Sequence, residues 1–511
     1  MPEAVIVSYA RSPIGRANKG SLVGIRSDDL TAQMVRAALD KIPALDPTEI
    51  DDLMLGCGLP GGEQGFNMGR VVSVLAGLDT VPGTTVNRYC SSSLQTTRMA
   101  LHAIKAGEGD VFISAGVETV SNFSKGTADH WPDTHNPIFA NAEARTATRA
   151  EGGAETWTDP RVNGQLPDVY IPMGQTAENV AQMTGITRED QDHWGVRSQE
   201  RAVAAVDRGH FANEITPVTM PDGTVVSADD GPRPGTTYEK ISQLKPVFRP
   251  DGTIAAGNCC PLNDGAAALV IMSDTKAKEL GLTPLARVVS TGVSGLSPEI
   301  MGLGPIEAVK NALRIAGKSI SDIDLFEINE AFAVQVLGSA RELGIEEDKL
   351  NINGGAIALG HPFGMTAPAS PRRCSTTCRP RTSSSASRPC VSAAARAWRW
   401  CSSASADPIR RGLSPRHPAA LRAPPGHASL EEVCPGRSRR WSCSRLPRRR
   451  PRGVRGGPGT RPPPEPHRRH TRNADDPGSP RGGPGPWDSP EPDLISQAAL
   501  QLAPVSRGSS S

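Results

Sequence analysis

A strand gives way to a helix in the stretch Val86-Asn87-Arg88-Tyr89-Cys90-Ser91-Ser92-Ser93-Leu94-Gln95. Residues 84–86 are β-rich and residues 94–104 are helical in pattern, so Cys90 is predicted at a helix N-terminus. Unpaired N–H groups and the positive dipole end favour a thiolate there, which is the nucleophilic form. For a lone cysteine, a small buried residue is the alternative interpretation.

A glycine-rich stretch far along the chain supplies a histidine. It reads Gly355-Ala356-Ile357-Ala358-Leu359-Gly360-His361-Pro362. Thiols ionise weakly at neutral pH, and a histidine that takes the proton activates them. His361 therefore favours a catalytic role for Cys90 over a merely buried one.

The chain has two parts that differ in composition. Its 511 residues allow two or three domains, and a net charge of +2 gives no reason to expect nucleic acid as a partner. Residues 1–366 are typical of α/β proteins, whereas residues 367–511 are rich in Arg, Pro and Ser. The second part has too little apolar periodicity to offset its ordering entropy, which predicts a disordered tail.

Targeting and redox features favour an intracellular protein. No apolar run reaches the roughly 18 residues that span a membrane, and residues 1–7 do not resemble a secretory signal. Of the ten cysteines, those within residues 1–366 are better interpreted as free thiols than as a disulfide framework. Cys374 and Cys378 lack partners at metal-ligand spacing. We predict a cytoplasmic protein with no metal and no membrane attachment.

Strand-like and helix-like patterns alternate along residues 1–366. Short apolar runs predict strands at 4–9, 52–57, 110–115, 266–272 and 325–328. Such alternation is typical of α/β proteins with parallel sheets covered by helices. Residues 121–250 are too long for a simple connection, so we interpret them as a functional insertion over the site.

Several motifs occur together in an order that resembles the thiolase family. Cys90 lies in Asn-Arg-Tyr-Cys-Ser-Ser, Asn329 begins Asn-Glu-Ala-Phe-Ala, and His361 ends Gly-Gly-Ala-Ile-Ala-Leu-Gly-His. Further matches begin at Met173 (Met-Gly-Gln-Thr-Ala-Glu-Asn-Val) and at Asn263 (Asn-Asp-Gly-Ala-Ala). The resemblance covers about residues 3–366, and the wording around Cys90 is most similar to degradative 3-ketoacyl-CoA and acetyl-CoA acyltransferases.

The resemblance implies a five-layered αβαβα fold made of two similar halves. The first half would comprise residues 1–120 and 251–273, with residues 121–250 as a loop domain over the active site. Residues 274–366 would form an incomplete second half, and 367–511 the tail. The family usually assembles as homodimers or homotetramers.

The resemblance also implies a reaction and the residues that perform it. Cys90 would take an acyl group from coenzyme A, and His361 would be its base. His361 and a water held by Asn329 would form one oxyanion hole, and backbone N–H groups at Cys90 and a glycine the second. Coenzyme A thioesters would be the substrates, with no metal or other cofactor.

Substrate-binding roles are implied for Met173, Cys260 and Phe332. Met173 would line the acyl pocket, and Cys260 replaces a serine that contacts the pantetheine arm in the family. A thiol is a weaker hydrogen-bond partner than a hydroxyl, which bears on coenzyme A affinity. We interpret Glu330 as a buried structural carboxylate rather than a catalytic one.

The chain departs from the family after His361. Thiolases carry a second catalytic cysteine in Cys-x-Gly-Gly, and the sequence contains no such motif. One back-translation of Cys390-Val391-Ser392-Ala393-Ala394-Ala395, shifted by one nucleotide, reads Cys-Val-Gly-Gly-Gly. We therefore expect a single-base loss near the codons for Thr366 and Ala367, so that residues 367–511 are out of frame.

Three alternatives remain open at the level of sequence. A ketosynthase shares the implied fold, but such enzymes have a histidine where this chain has Asn329. A thiolase-derived remnant would bind coenzyme A without turnover, because the second cysteine motif is missing. An Arg-rich nucleic-acid arm is the third, although the tail contains no lysine.

Overall fold

The computed structural model describes residues 1–125 and 133–366. All of these residues belong to a single compact unit. The predictions for the tail, the shifted frame and the second cysteine motif lie outside the described residues. Within the described ranges, no helix is long and apolar enough to cross a membrane.

The strands and helices follow one another in mixed order. The strands are β1 (Ala4–Arg11), β2 (Gly15–Arg16), β3 (Asp52–Cys57), β4 (Gly83–Val86), β5 (Val111–Thr119), β6 (Val218–Thr219), β7 (Val225–Val226), β8 (Asn263–Ser273) and β9 (Ala286–Arg287). The helices are α1 (Ser27–Leu39), α2 (Met68–Leu75), α3 (Ser92–Ala106), α4 (Ala140–Ala150), α5 (Met173–Thr184), α6 (Arg188–Asp207), α7 (Tyr238–Ile241), α8 (Asp274–Glu279), α9 (Gly304–Ala316), α10 (Ala333–Leu343) and α11 (Ala356–Leu359).

A large sheet organises the first half of the described chain. Its order is β4-β3-β5-β8-β1-β9, and β2 pairs with β8. β3 runs parallel to β4 and β5, whereas β8 runs antiparallel to β5 and β1. The expectation of parallel sheets is therefore correct for β3, β4 and β5 but wrong for β8, which returns through the sheet centre in the opposite direction.

β5 and β8 are buried along their whole length, as central strands covered on both faces are. α1 and α3 pack against this sheet. α3 buries Thr96, Ala100 and Ile104 at helical spacing and ends at Gly107, whose φ of 76° suits glycine. The sheet thus holds the segment that contains Cys90 between β4 and α3.

The second half of the described chain is supported differently. Helices α5, α9 and α10 contribute side chains to one apolar cluster, which also contains Phe326. The strand predicted at 325–328 is reduced to one parallel bridge, Phe326 to Leu350, within the described residues. An apolar run predicts burial, which Phe326 has, but it does not specify a pairing partner.

Candidate active site

Cys90 lies in a single 3-10 turn, Tyr89–Ser91, between β4 and α3. Tyr89 has a positive φ of 44°. This conformation costs a non-glycine residue about 1–3 kcal/mol and is found where surrounding contacts impose it. Ser92 Oγ supplies two such contacts, accepting from Arg88 N at 2.8 Å and donating to Tyr89 O at 2.5 Å. The turn that carries the thiol is therefore fixed before any ligand binds.

The four cysteines of the described residues are free thiols in two kinds of environment. Cys57 and Cys259 are buried, whereas Cys90 and Cys260 are partly exposed. Burial raises the pKa of Cys259 to about 12 and raises the pKa of Cys57 well above its usual value. Cys57 and Cys259 therefore stay protonated, and the accessible thiols are those of Cys90 and Cys260.

His361 follows α11 on a tightly held loop and is 2% exposed. Its backbone N donates to Asn263 Oδ1 at 2.9 Å, and Asn263 Nδ2 donates to Gly15 O at 2.9 Å. Thr366 Oγ1 lies 3.3 Å from His361 Nδ1. Gly360 has a φ of 102°, and a Cβ there would lie 2.6 Å from Asn263. This loop needs glycine for both its conformation and its close approach to Asn263.

The Cys90 turn and the His361 loop meet at Gly58. The 3-10 turn Phe363–Met365, just after His361, packs against the turn Tyr89–Ser91. A Cβ on Gly58 would lie 2.9 Å from Phe363 Cβ and 3.5 Å from Tyr89 C. The structure thus brings together the two segments that carry the predicted nucleophile and base.

Asn329 lies on the loop that precedes α10. Its Nδ2 atom is buried and has no hydrogen-bond partner among the described residues. A buried donor without a partner costs free energy, so a polar group is expected to approach it in the functional state. This is the property required of a side chain that holds a water or a substrate oxygen.

Glu330 joins the Asn329 loop to the segment that leads to His361. Its carboxylate accepts hydrogen bonds from Trp194 Nε1 (3.1 Å), Ser198 Oγ (2.6 Å), Asn351 Nδ2 (2.9 Å) and Ile357 N (3.2 Å). Burial raises the pKa of Glu330, and these donors oppose the shift. The network supports the interpretation of Glu330 as a structural carboxylate.

The three predicted substrate-binding residues lie in one apolar cluster. Met173 and Cys260 pack against the cluster that contains Phe332. Cys260 N donates to Ala331 O at 3.0 Å. Phe248, which the sequence did not single out, packs on Gly174, where a Cβ would overlap its ring, and meets Phe332 edge-on at 6.2 Å between centroids. These side chains form an apolar wall.

Glu118 is a second residue that sequence reasoning missed. It is fully buried near the end of β5 and accepts from Gly58 N at 2.7 Å and Gly364 N at 3.1 Å. Desolvation raises its pKa to about 7, against the opposing effect of its donors. The available signal was a carboxylate placed directly after a buried apolar run, but the predicted strand ended at residue 115.

The fold and the site together define a class of protein: an α/β protein in which a partly exposed cysteine and a buried histidine lie on neighbouring loops. The model of the thiolase N-terminal domain matches residues 4–275, and that of the thiolase C-terminal domain matches residues 282–383. The chain belongs to the thiolase family. The predicted family and its α/β fold are therefore confirmed.

Characterised relatives and solved structures agree with this assignment. The chain is 44% identical to a 3-ketoacyl-CoA thiolase of Bacillus subtilis over 72% of this chain and 90% of that protein. It is 43% identical to a beta-ketoadipyl-CoA thiolase of Escherichia coli, with the same coverage. The dimeric peroxisomal thiolase of Saccharomyces cerevisiae superposes with a TM-score of 0.64 at 34% identity, over 74% of this chain and 90% of that one. The human mitochondrial 3-ketoacyl-CoA thiolase in complex with CoA gives a TM-score of 0.60 at 34% identity, over 72% of this chain and 89% of that chain.

Proposed function

We propose that the chain is a 3-ketoacyl-CoA thiolase that works through an acyl-Cys90 intermediate. The observation that carries the proposal is the packing of the Cys90 turn against the turn after His361, on either side of Gly58. The names of the relatives supply the substrate class, 3-ketoacyl thioesters of coenzyme A.

The first chemical step transfers a proton from Cys90 to His361. Thr366 Oγ1, 3.3 Å from His361 Nδ1, would orient the ring so that the other nitrogen serves the thiol. The thiolate attacks the 3-keto carbon, the bond between C2 and C3 breaks, and the electron pair leaves as the enolate of acetyl-CoA, which takes a proton from solvent while His361 releases its proton to solvent. His361 then accepts the proton of a free coenzyme A thiol, whose sulfur attacks the acyl carbon. The bond to the sulfur of Cys90 breaks, the shortened acyl-CoA leaves, and Cys90 recovers the proton from His361.

Asn329 and His361 would stabilise the negative charge on the thioester oxygen of the enolate. The buried Nδ2 of Asn329 can donate to a water or an oxygen that approaches it. Preorganised donors of this kind contribute strongly to acyl transfer because they need no reorganisation during the reaction. Backbone N–H groups at the Cys90 turn would serve the second oxyanion.

The apolar wall favours a hydrocarbon acyl chain. Met173, Phe248 and Phe332 present apolar groups, and Cys260 is the partly exposed polar side chain of the same cluster. Cys260 would face the pantetheine arm. We propose a role in fatty acid degradation on this basis.

We also propose a cytoplasmic homo-oligomer. Free thiols throughout the described residues suit a reducing compartment. β4 forms one end of the sheet and is half-buried along its length, so its outer edge can pair with a second copy. A homodimer through β4 would place a subunit contact directly before Cys90.

A second candidate is a coenzyme A-binding remnant that forms the acyl-enzyme but does not turn over. The observation that favours it is the lack of a Cys-x-Gly-Gly motif in the sequence. Without a second acid, the departing enolate has no dedicated proton donor.

One experiment separates the candidates. The full chain is incubated with acetyl-CoA, and the peptide that contains Cys90 is analysed by mass spectrometry alongside a thiolysis assay with acetoacetyl-CoA. Acetylation of Cys90 with turnover supports the thiolase, and acetylation without turnover supports the remnant. An unmodified Cys90 would contradict both. Cys260→Ser is the matched control, because it removes the other accessible thiol and should leave the label on Cys90.

A further inference from the structure

Glu118 is a buried carboxylate whose contacts are all hydrogen-bond donors. Oε2 accepts from Gly58 N (2.7 Å) and Gly364 N (3.1 Å), while Oε1 accepts from Gln64 Nε2 (2.7 Å) and Leu59 N (3.3 Å). The described residues place no cation in an ion pair with it. The four N–H groups therefore all address Glu118 as a hydrogen-bond acceptor.

These donors come from segments that meet at the candidate site. Gly58 and Leu59 follow β3, and Gly364 lies in the turn directly after His361. Gly58 is also the residue that separates Tyr89 from Phe363. Oε2 thus ties the His361 loop to the residue against which the Cys90 turn packs.

Glu118 changes its protonation state near neutral pH. Desolvation raises its pKa to about 7, so that both protonation states occur near neutrality. The titratable side chain in contact with it is Cys57, whose Sγ lies 3.8 Å from Oε1. Asp264, opposite Thr119 in the β5–β8 register, instead accepts from Ser121 N. A protonated Glu118 would direct an O–H at one of four N–H donors and would displace it.

We propose that Glu118 is a positioning residue whose carboxylate holds the His361 loop against the Cys90 turn. This inference rests on the proposed roles of Cys90 and His361. It gives Glu118 no contact with the substrate. Neutralising the carboxylate loosens the Gly364 and Gly58 contacts, moves His361 relative to the thiol and slows thiolate formation.

The test measures the rate at which iodoacetamide alkylates Cys90 in the full chain, peptide by peptide, between pH 5 and 9. Glu118→Gln replaces the acceptor by an amide that presents a donor to the same N–H groups. We expect the Cys90 rate to fall about 10- to 100-fold near neutral pH, as for a misplaced catalytic group. In wild type the pH profile of alkylation should show two ionisations, one from the Cys90–His361 pair and one from Glu118. In Glu118→Gln the ionisation of Glu118 should be absent.

Glu178→Gln is the matched control. Glu178 is also buried and accepts from the backbone N of Thr253 (2.9 Å) and Ile254 (3.0 Å), but it contacts neither turn. Its substitution should change thermal stability without changing the Cys90 rate or its pH profile. An equal loss of rate in both variants would reduce the role of Glu118 to general stability and would overturn the inference.

Two further outcomes separate the inference from the proposed function. A wild-type Cys90 no more reactive than free cysteine would overturn both. A reactive Cys90 that Glu118→Gln leaves unchanged would overturn the inference alone. If Glu118→Gln lowers the folded fraction, Glu118→Asp decides, because it keeps the carboxylate: both ionisations should persist, and a profile with one ionisation would contradict the proposal.

Discussion

The Cys90 side and the His361–Asn329 side of the site are held in different ways. Cys90 follows β4, whose backbone is paired with β3 in a parallel ladder. Asn329 and His361 lie on loops held by side-chain hydrogen bonds: Glu330 joins Asn351 to the segment before His361, and Asn263 holds the His361 backbone. Backbone ladders do not depend on any single side chain, whereas a buried polar network loses several partners when one member is removed.

This difference predicts that a point substitution on the Cys90 side can remove catalytic activity without lowering the free energy of unfolding. On the His361–Asn329 side, a point substitution should lower both. Cys90 lies on a turn that follows a paired strand, so it can be replaced without disturbing the turn. Glu330 joins two loops, so its replacement disturbs both. Four variants and two matched controls test the comparison, beginning with the largest expected effect.

Cys90→Ala should abolish acyl transfer with little effect on folding. Loss of a covalent nucleophile costs about 10⁴-fold or more in rate. Because the thiol is only partly buried, the free energy of unfolding should change by less than about 1 kcal/mol. Thiolysis and urea unfolding measure the two effects. A large loss of stability would break the comparison on the Cys90 side.

Glu330→Ala should reduce stability and activity together. It leaves Trp194 Nε1, Ser198 Oγ and Ile357 N without their acceptor, at an expected cost of about 3–5 kcal/mol. Urea unfolding and Cys90 acetylation are measured on the same samples. Glu347→Ala is the control, since its pair with Arg197 is exposed and should contribute less than about 1 kcal/mol. Equal effects of the two substitutions would contradict the network argument.

The free energy of unfolding should depend on pH through the titration of Glu118. Its folded-state pKa, about 7, is above the ordinary value of 4.5, so the folded state binds the proton more tightly than the unfolded state. The contribution of protonated Glu118 to the free energy of unfolding is fully present below pH 4.5 and is lost as the pH rises through 7. Wild type should therefore lose on the order of 3 kcal/mol relative to Glu118→Gln across this range. Parallel stability curves would show that the carboxyl titrates normally.

Part of this architecture could be predicted from the sequence. Apolar runs located β1, β3 and β8, because burial on both faces leaves a continuous hydrophobic segment. Strand direction was not encoded in those runs, so the antiparallel course of β8 was missed. Motif spacing singled out Cys90 and His361 as candidates, whereas Glu118 and Phe248 stand out only through contacts between segments distant in sequence.

The smallest expected effect concerns the strain at Tyr89. Tyr89→Gly should raise the free energy of unfolding by about 1 kcal/mol, because glycine adopts the φ of 44° freely but loses more entropy on folding. The same change should slow alkylation of Cys90, since the turn then samples other conformations. Urea unfolding and iodoacetamide labelling measure the two quantities. A stabilised variant with unchanged Cys90 reactivity would show that the strain has no role in placing the thiol.

Asn351→Gly is the matched control on the other side of the site. Asn351 also has a positive φ, 48°, but its side chain donates to Glu330 and to Ile328 O and accepts from Ile328 N. Relief of backbone strain is therefore outweighed by the loss of three buried hydrogen bonds, and the variant should be less stable than wild type. Opposite signs at two residues with the same backbone conformation would show that the ladder holds one side and the side-chain network holds the other. The same sign at both would remove the distinction.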